Sequence, residues 1–264
     1  MHPVLFHLGS ITIYTYGFFI AVGAALGGLY MWRQGRKRYG MTFDQANTLF
    51  LLLISAGVIG GKLFVIFENP SYNTSHFSEL FSKNGFVFYG SLLTAIPIML
   101  WYFKKNGLPV AGMLDVMAAV TCIVHGFGRI GCFNAGCCYG TPTESFLAIT
   151  FTDPVCQAPL NSPLHPTQLY EALSIFFIFA FLQIVDRNKK FDGQVFLSYL
   201  ILYAIVRSVI ELFRGDLERG FVVDNVLSTS QFISLLLVLG AIYFYVKLRR
   251  KANFQIPNTE SNGK

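Results

Sequence analysis

The chain contains seven apolar runs, each long enough to cross a lipid bilayer, and no other feature restricts its fold as strongly. They cover approximately residues 11–31, 48–67, 86–103, 113–130, 168–185, 194–212 and 230–246. A membrane-spanning helix needs roughly 20 mainly apolar residues. Only 13% of the 264 residues are charged, whereas a soluble domain has about a quarter. We therefore predict an all-α integral membrane protein with seven transmembrane helices.

Lysine and arginine are divided unevenly between the two sides of this arrangement. Four follow the first run, two the third, three the fifth and five the seventh, so that 14 of the 20 lie on one side. Positively charged loops stay in the cytoplasm, which predicts an outward N-terminus and a cytoplasmic C-terminus. The net charge of +6 then reflects this orientation and contact with anionic membrane lipids. Nucleic acid is not expected as a partner.

One membrane domain covering residues 1–264 is the simplest organisation. The outward segment 131–167, between helices four and five, is too long for a turn, and we expect it to form a small cap. Its stretch "FLAITFTD" alternates in the manner of a short strand. Residues 247–264 are predicted to form a basic cytoplasmic tail.

Four charged side chains lie in or at the edges of the apolar runs: Lys62, Arg129, Arg207 and Glu211. A charge at the centre of a bilayer costs on the order of 2.5–3.5 kcal/mol, so it needs a partner, a wet cavity or a ligand. Arg207 and Glu211 are spaced i, i+4 on one helix face, with Arg214 one turn further on. They are interpreted either as a structural ion pair or as part of a binding site. Arg129 alone is open to interpretation as a snorkelling residue.

Two arginines on separate helices favour a binding site over these structural alternatives. The guanidinium fork matches a phosphate, and the phosphate at hand in a bilayer is a phospholipid headgroup. Several glycines around Arg129, including Gly128, Gly131 and Gly140, allow a ligand to approach the backbone closely. We therefore expect a lipid-headgroup site in the outer half of the membrane.

A second polar cluster is "SPLHPTQLYEA", residues 162–172. Its His165, Gln168, Tyr170 and Glu171 stand at the start of helix five and serve either to cap and pack that helix or to form a polar wall facing the arginines. The first and third helices contribute further candidates for the lining of the same cavity: Tyr16, Gly17, Tyr89 and Gly90.

Four of the five cysteines map to the outward side: Cys132, Cys137, Cys138 and Cys156. Thiols in an oxidising compartment usually form disulfides, so pairing with Cys132 or Cys156 is the first expectation for the adjacent pair Cys137 and Cys138. Free thiols, or a zinc site that also uses His165, remain open as alternatives. Cys122, inside helix four, is interpreted as a small apolar filler.

Six motifs in order resemble the prolipoprotein diacylglyceryl transferase family of bacterial plasma membranes. They are "YTYGFFIAVG", "GVIGGKLFVIFE", "GFVFYGSL", "GRIGCFNAGCCYG", "HPTQLYEA" and "RSVIELFR". The resemblance implies transfer of the diacylglyceryl group of phosphatidylglycerol to the cysteine thiol of a prolipoprotein signal peptide. It also implies an active site toward the outer face, with no cofactor and no metal.

Carried over by position, the resemblance implies catalytic roles for Arg129, Arg207, His165 and Tyr89. The two arginines would hold the lipid phosphate and stabilise the charge of the leaving group. The implied substrate-binding residues are Tyr16, Gly17, Lys62, Gly90, Gly128, Gly131, Cys132, Cys137, Gly140, Gln168, Tyr170, Glu171, Glu211 and Arg214.

Four positions depart from the family pattern. Cys132 and Cys137 stand where the family commonly has Asn and Glu, Tyr89 replaces a histidine that is a candidate base for the acceptor thiol, and Ser91 replaces a glycine. The chain therefore resembles a divergent, cysteine-containing branch. Two alternatives follow: the same lipid donor with a different acceptor, or a non-catalytic protein that binds or transports anionic lipids.

Overall fold

The computed structural model describes residues 2–9, 11–68, 87–215, 221–223 and 227–254, and most of these residues are helical. The helices are α1 (Thr15–Tyr39), α2 (Phe43–Glu68), α3 (Phe88–Lys105), α4 (Val110–Ala135), α5 (Thr167–Arg187), α6 (Gln194–Glu211) and α7 (Thr229–Phe254). The predicted all-α fold is confirmed, with seven helices in the described part of the chain. Six of them are long and apolar enough to cross a membrane. The shorter α3 ends in two lysines, and its crossing stays a prediction.

The described residues also form three antiparallel two-stranded hairpins. They pair β1 (Val4–Leu8) with β2 (Ile11–Tyr14), β3 (Ile149–Thr150) with β4 (Pro163–Leu164), and β5 (Phe221–Val223) with β6 (Leu227–Ser228). The first hairpin corrects the predicted start of helix one at residue 11. The stretch "ITIY" is rich in β-branched residues, and pairing with β1 keeps it extended until Thr15.

The chain divides into two compact units, residues 28–113 and residues 1–27 together with 114–264. In the first of these, α2 and α3 approach each other backbone to backbone. A Cβ on Gly90 would lie 2.6 Å from the carbonyl oxygen of Gly60 and 2.4 Å from the Cβ of Phe64. The hydroxyl of Thr94 donates to the carbonyl of Ala56 at 2.8 Å, and that of Ser91 to the carbonyl of Gly57 at the same distance.

The second unit has its apolar core between α4, α5 and α6, where Cys122, Ile175 and Leu182 are fully buried. Cys122 is therefore a core residue, as predicted. Near the start of α4, the buried carboxylate of Asp115 accepts the backbone N–H groups of Gly193 and Phe196, each at 3.0 Å. These donors belong to the first turn of α6, so Asp115 caps a helix that is distant in the sequence.

Several predicted boundaries are wrong by a turn or more. Helix α4 continues five residues past its predicted end at 130, so Gly131 and Cys132 are helical and not part of the cap. Helix α6 ends at Glu211, one residue before its predicted end, so Arg214 lies beyond the helix and does not extend its face. Helix α7 runs to Phe254, so the first basic residues of the predicted tail are helical, while residues 255–264 lie outside the described part of the chain.

The rest of the segment predicted as a cap, residues 136–166, is built around a small core of Phe151, Ala158 and Leu164, and its outward location stays a prediction. Of the stretch "FLAITFTD", Ile149 and Thr150 form the predicted strand, and Phe151 makes a single bridge to Leu160. The cap therefore has its own apolar anchor, which holds its ends in place beside α4 and α5.

Candidate functional site

In the second unit, two side chains of α4 meet the buried carboxylate of a glutamate on α5. Glu171, in the second turn of α5, is only 2% exposed. One of its oxygens lies 3.0 Å from Nε of Arg129, and the other lies 3.3 Å from Nε2 of His125. His125 and Arg129 are spaced i, i+4 on α4 and therefore share the helix face that meets α5. Glu171 thus faces Arg129, as a polar wall would require, and its functional role stays a prediction.

The predicted i, i+4 ion pair on α6 is present. Nη2 of Arg207 lies 2.7 Å from Oε2 of Glu211, and Glu211 is 4% exposed. The other terminal nitrogen, Nη1 of Arg207, is buried and makes no hydrogen bond with any residue that the structure describes. A buried donor without a partner is costly, so this nitrogen is suited to an anionic ligand.

The two arginines act on the same carboxylate. Arg129 contacts Glu171 directly, and the positive charge of Arg207 also reaches it through space. Both contacts of Arg129 with described residues use Nε, and the described ion pair of Arg207 uses Nη2. The carboxylates therefore orient the two forks, and terminal nitrogens remain available to bind oxygen atoms of a ligand.

The end of α4 brings three cysteines together. Gly136 has φ +70°, the N–H of Cys137 donates to the carbonyl of Cys132, and that of Gly136 donates to the carbonyl of Phe133. This is a Schellman motif, in which the residue after the glycine folds back over the residue five positions earlier. The Sγ atoms of Cys132, Cys137 and Cys138 consequently lie within 4.8 Å of one another.

The expected disulfide is not formed: all five cysteines, each of them described, are free thiols. Hydrogen bonds from the thiols of Cys132 and Cys137, assisted by the charges of Arg129 and Arg214, lower the pKa of the Cys138 thiol. The hydrogen bonds with Cys132 and Cys138, together with burial, raise the pKa of the Cys137 thiol.

The first turn of α5 fixes the backbone of the cysteine loop. The hydroxyl of Thr167 donates to the carbonyl of Cys138 at 2.7 Å, and the amide of Gln168 donates to the carbonyl of Cys137 at 2.7 Å. Gln168 is 1% exposed, and its Oε1 makes no hydrogen bond within the described ranges. The loop is thus held in one conformation, and a buried acceptor remains beside it.

Gly140 joins three of the sequence motifs. Its N–H donates to the carbonyl of His165 at 3.0 Å, and its backbone forms a bridge with Arg214. A Cβ at this position would lie 2.6 Å from the carbonyl oxygen of His165 and 2.8 Å from that of Phe213. Only glycine permits this approach, which explains why the cysteine motif closes on it. The bridge holds the backbone of Arg214 in the segment after α6, and Arg214 does not, as predicted, continue the face of α6.

His165 and Tyr170 contact each other more than they contact the arginines. Nδ1 of His165 lies 3.2 Å from the hydroxyl of Tyr170. The His165 ring also packs edge-on against Phe213, with ring centroids 5.4 Å apart. This aromatic group stands at the junction between the cap and the segment after α6.

Tyr16, at the start of α1, packs against the C-terminal half of α4. A Cβ on Gly131 would lie 3.1 Å from the ring of Tyr16, and the Tyr16 phenol is within electrostatic range of Arg129 and the three clustered thiols. Four glycines of this unit were predicted to line the site or to let a ligand approach the backbone. At Gly17 and Gly128, no described heavy atom lies within 4 Å of the point where a Cβ would stand. Gly131 and Gly140, in contrast, are closely packed by the protein itself.

The remaining predicted residues, Lys62, Tyr89 and Gly90, belong to the other compact unit. Lys62 is on α2, and Tyr89 and Gly90 are in the first turn of α3. Gly90 serves the close packing of α2 against α3. Their predicted roles in substrate binding and catalysis stay predictions.

Sequence reasoning missed His125 and Thr167, and it named Cys138 only among the outward thiols. His125 was detectable from its i, i+4 spacing to Arg129. The convergence of the thiols was detectable from the pattern C-x4-C with glycine before the second cysteine, which is the spacing of C3 and C″ in a Schellman motif. Thr167 offered no sequence pattern of its own, because its partner is 29 residues away.

The assembled site offers buried guanidinium groups for an anion and a thiol cluster beside them, on the scaffold of a multi-pass membrane protein. Comparison with known proteins agrees with this chemistry. Residues 3–247 match the family profile described as prolipoprotein diacylglyceryl transferase. The match covers nearly the whole chain and includes every described site residue.

Individual relatives are similar over their full length. The chain is 38% identical over 255 residues to the phosphatidylglycerol–prolipoprotein diacylglyceryl transferase of Clostridium tetani, covering 95% of this chain and 100% of the relative. It is 34% identical over 247 residues to the transferase numbered 2 of Clostridium perfringens, covering 93% and 94%. It is 30% identical over 261 residues to that of Dehalococcoides mccartyi, covering 97% of each. The resemblance seen in the motifs is thereby confirmed, and the chain belongs to the prolipoprotein diacylglyceryl transferase family.

Proposed function

We propose that this chain transfers the diacylglyceryl group of phosphatidylglycerol to the cysteine thiol of a prolipoprotein. The acceptor sulfur attacks the glyceryl carbon that carries the phosphate. A sulfur–carbon bond forms, the carbon–oxygen bond breaks, and its electron pair leaves on the oxygen of glycerol phosphate, while the thiol proton is released. The observation that carries the proposal is the pair of carboxylate-held arginines, with a buried nitrogen of Arg207 lacking a partner among the described residues.

The lipid phosphate is the ligand that best completes this arrangement. A phosphodiester brings two negatively polarised oxygens, and an arginine fork binds such oxygens with matched geometry. Glu171 contacts Nε of Arg129, and Glu211 contacts Nη2 of Arg207. Both guanidinium groups are therefore oriented before a phosphate binds and need little reorganisation. In the transition state the leaving oxygen gains negative charge, and donors already in place stabilise it more strongly than they stabilise the bound lipid.

The site is inferred to open toward the outer face of a bacterial plasma membrane. Basic residues occupy the C-terminal ends of α1, α3, α5 and α7, which favours a cytoplasmic location for those ends. Glu171 lies near the N-terminal end of α5, opposite Arg187 at its basic end. Arg129 and Arg207 approach it from the C-terminal halves of α4 and α6. The site would thus lie in the outer half of the membrane, at the level of the headgroups of outer-leaflet lipids.

The test uses purified full-length protein, phosphatidylglycerol with labelled acyl chains, and a lipoprotein precursor peptide bearing the acceptor cysteine. We expect mass spectrometry to find a diacylglyceryl adduct on that cysteine and an equal amount of released glycerol phosphate. A peptide with serine in place of the acceptor cysteine is the matched control. Lipid consumption without a peptide adduct would instead assign a different acceptor, and no consumption by folded protein would favour the lipid-binding alternative.

A further inference from the structure

We propose that Cys132, Cys137 and Cys138 bind a zinc ion whose fourth coordination position takes the acceptor thiol. The proposal rests on the proposed function, because it assigns the group that activates the acceptor in that reaction. The three sulfur atoms lie within 4.8 Å of one another. Zn–S bonds of about 2.3 Å place tetrahedral ligands about 3.8 Å apart, so each sulfur needs to move by only about 1 Å or less.

The backbone holds the three ligands on a rigid frame. The Schellman motif sets Cys137 over Cys132, and Cys138 follows with φ +58°. Thr167 and Gln168, both buried, bind the carbonyls of Cys138 and Cys137 from the start of α5. Ligands that are fixed in this way lose little conformational entropy when a metal binds.

The ligand set is that of an open site and not of a closed structural one. In the described residues of this unit, no further cysteine, histidine or carboxylate joins the three thiols. Structural zinc sites use four protein ligands, whereas catalytic sites use three and leave a position for water or substrate. Zinc with three thiolates carries one net negative charge, which the nearby charges of Arg129 and Arg214, both acting on Cys138, offset.

The chemistry of an open thiolate site suits alkylation of a thiol. A thiol that coordinates zinc is deprotonated, so the acceptor cysteine would release its proton to solvent on binding and present a thiolate. That sulfur then attacks the glyceryl carbon, and the broken carbon–oxygen bond leaves its electrons on the phosphate. The charge of Arg129 reaches both Cys132 and Cys138, so the proposed phosphate site and the proposed thiol site adjoin.

The test is metal binding by the reduced full-length protein in detergent, followed by elemental analysis and optical spectroscopy. We expect about one equivalent of zinc per chain after dialysis. Replacement by Co²⁺ should give the sulfur-to-metal charge-transfer band and intense visible bands of a tetrahedral thiolate site. Addition of the precursor peptide should strengthen the charge-transfer band as a fourth sulfur coordinates, while the peptide with serine at the acceptor position should leave it unchanged.

Variants test whether these three cysteines are the metal ligands. The double variant Cys132→Asn and Cys137→Glu carries the residues common in the family, so it is expected to fold, and its zinc affinity should fall more than about tenfold. Cys138→Ser should have the same effect. Cys156→Ser, which changes a cysteine outside the cluster, is the matched control and should retain both metal and transfer activity.

The proposal is overturned if the reduced protein binds no stoichiometric zinc or cobalt, if the double variant binds as much as the wild type, or if the peptide leaves the cobalt spectrum unchanged. Recovery of a Cys132–Cys137 disulfide from protein that binds no metal after reduction would likewise overturn it. Failure of the proposed function is distinguishable: the cobalt spectrum would respond to the peptide, but no diacylglyceryl adduct would appear.

Discussion

Two buried ionic clusters, at opposite ends of α4, differ in whether the protein itself satisfies them. At one end, Asp115 accepts hydrogen bonds from the side chain of Lys189 and from the N–H groups of Gly193 and Phe196, all at 3.0 Å. At the other end, Arg129 and Arg207 are held by Glu171 and Glu211. There, a buried nitrogen of Arg207 has no partner among the described residues. We call these the closed cluster and the open cluster.

The contrast distinguishes charged groups that stabilise the fold from charged groups that are available to bind a ligand. A buried carboxylate is stable when each oxygen receives hydrogen bonds, and the closed cluster reaches that state by capping α6. The open cluster retains one buried donor, Nη1 of Arg207, with no partner among the described residues, which costs stability unless a ligand completes it. Residue type alone did not distinguish the two clusters, since both combine basic and acidic residues within or beside apolar helices.

The largest effect is expected from Arg207→Lys in the open cluster. Lysine keeps the charge beside Glu211 but lacks the fork, so it removes the buried Nη1 donor. We expect the rate of diacylglyceryl transfer to fall about 100-fold or more, in line with the loss of a single transition-state donor. Thermal unfolding should stay close to that of the wild type, which would show that the loss is chemical and not structural.

Glu171→Gln should have the next largest effect. It keeps the size of the side chain but removes the charge that orients Arg129 and contacts His125. Hydrogen bonds to charged groups are worth about 1.5–3 kcal/mol, so we expect the transfer rate to fall about tenfold to 100-fold. Steady-state kinetics over a range of phosphatidylglycerol concentrations measure it. An unchanged rate would mean that Glu171 does not position Arg129.

In the closed cluster, Asp115→Asn should lower stability by about 1.5 kcal/mol, because the amide presents one acceptor in place of two and loses the charge that Lys189 pairs with. The midpoint of thermal unfolding in detergent should fall, while the transfer rate per folded molecule stays constant. A loss of rate in fully folded protein would contradict the structural assignment of this cluster.

Lys189→Met should have the smallest effect. Its side chain is 19% exposed, its ammonium is shared between Asp115 and Asp192, and Asp115 would keep its two backbone donors. We expect a decrease in stability of less than about 1 kcal/mol, typical of a partly exposed ion pair. If Lys189→Met destabilised the protein more than Asp115→Asn, the backbone cap would not be the main role of Asp115.

The sequence predicted what depends on local spacing and composition. The i, i+4 pair Arg207 and Glu211 and the seven helices followed from periodicity and apolar length. The ends of the helices did not: α4 continues to a Schellman motif, and β1 keeps residues 11–14 out of α1. Those ends depend on glycine backbone geometry and on strand pairing, which apolar length does not encode.

Spacing along the chain also did not predict which residues of different helices contact each other. Asp115 meets Gly193 and Phe196, which are 78 and 81 residues away along the chain, and Glu171 meets Arg129 from a different helix. The sequence offered Glu171 as either a cap or a partner of the arginines. Only the packing of α5 against α4 shows that Glu171 meets Arg129. The order of the motifs identified the family, but their spatial relations required the fold.

The most direct measurement compares the transfer rate of the wild type, Arg207→Lys and Asp115→Asn at equal concentrations of folded protein, with labelled phosphatidylglycerol and the precursor peptide. We expect the wild type and Asp115→Asn to form the diacylglyceryl-cysteine adduct at the same rate and Arg207→Lys to form it about 100-fold more slowly. Equal rates for Arg207→Lys and the wild type would contradict the assignment of the open cluster as the phosphate-binding site.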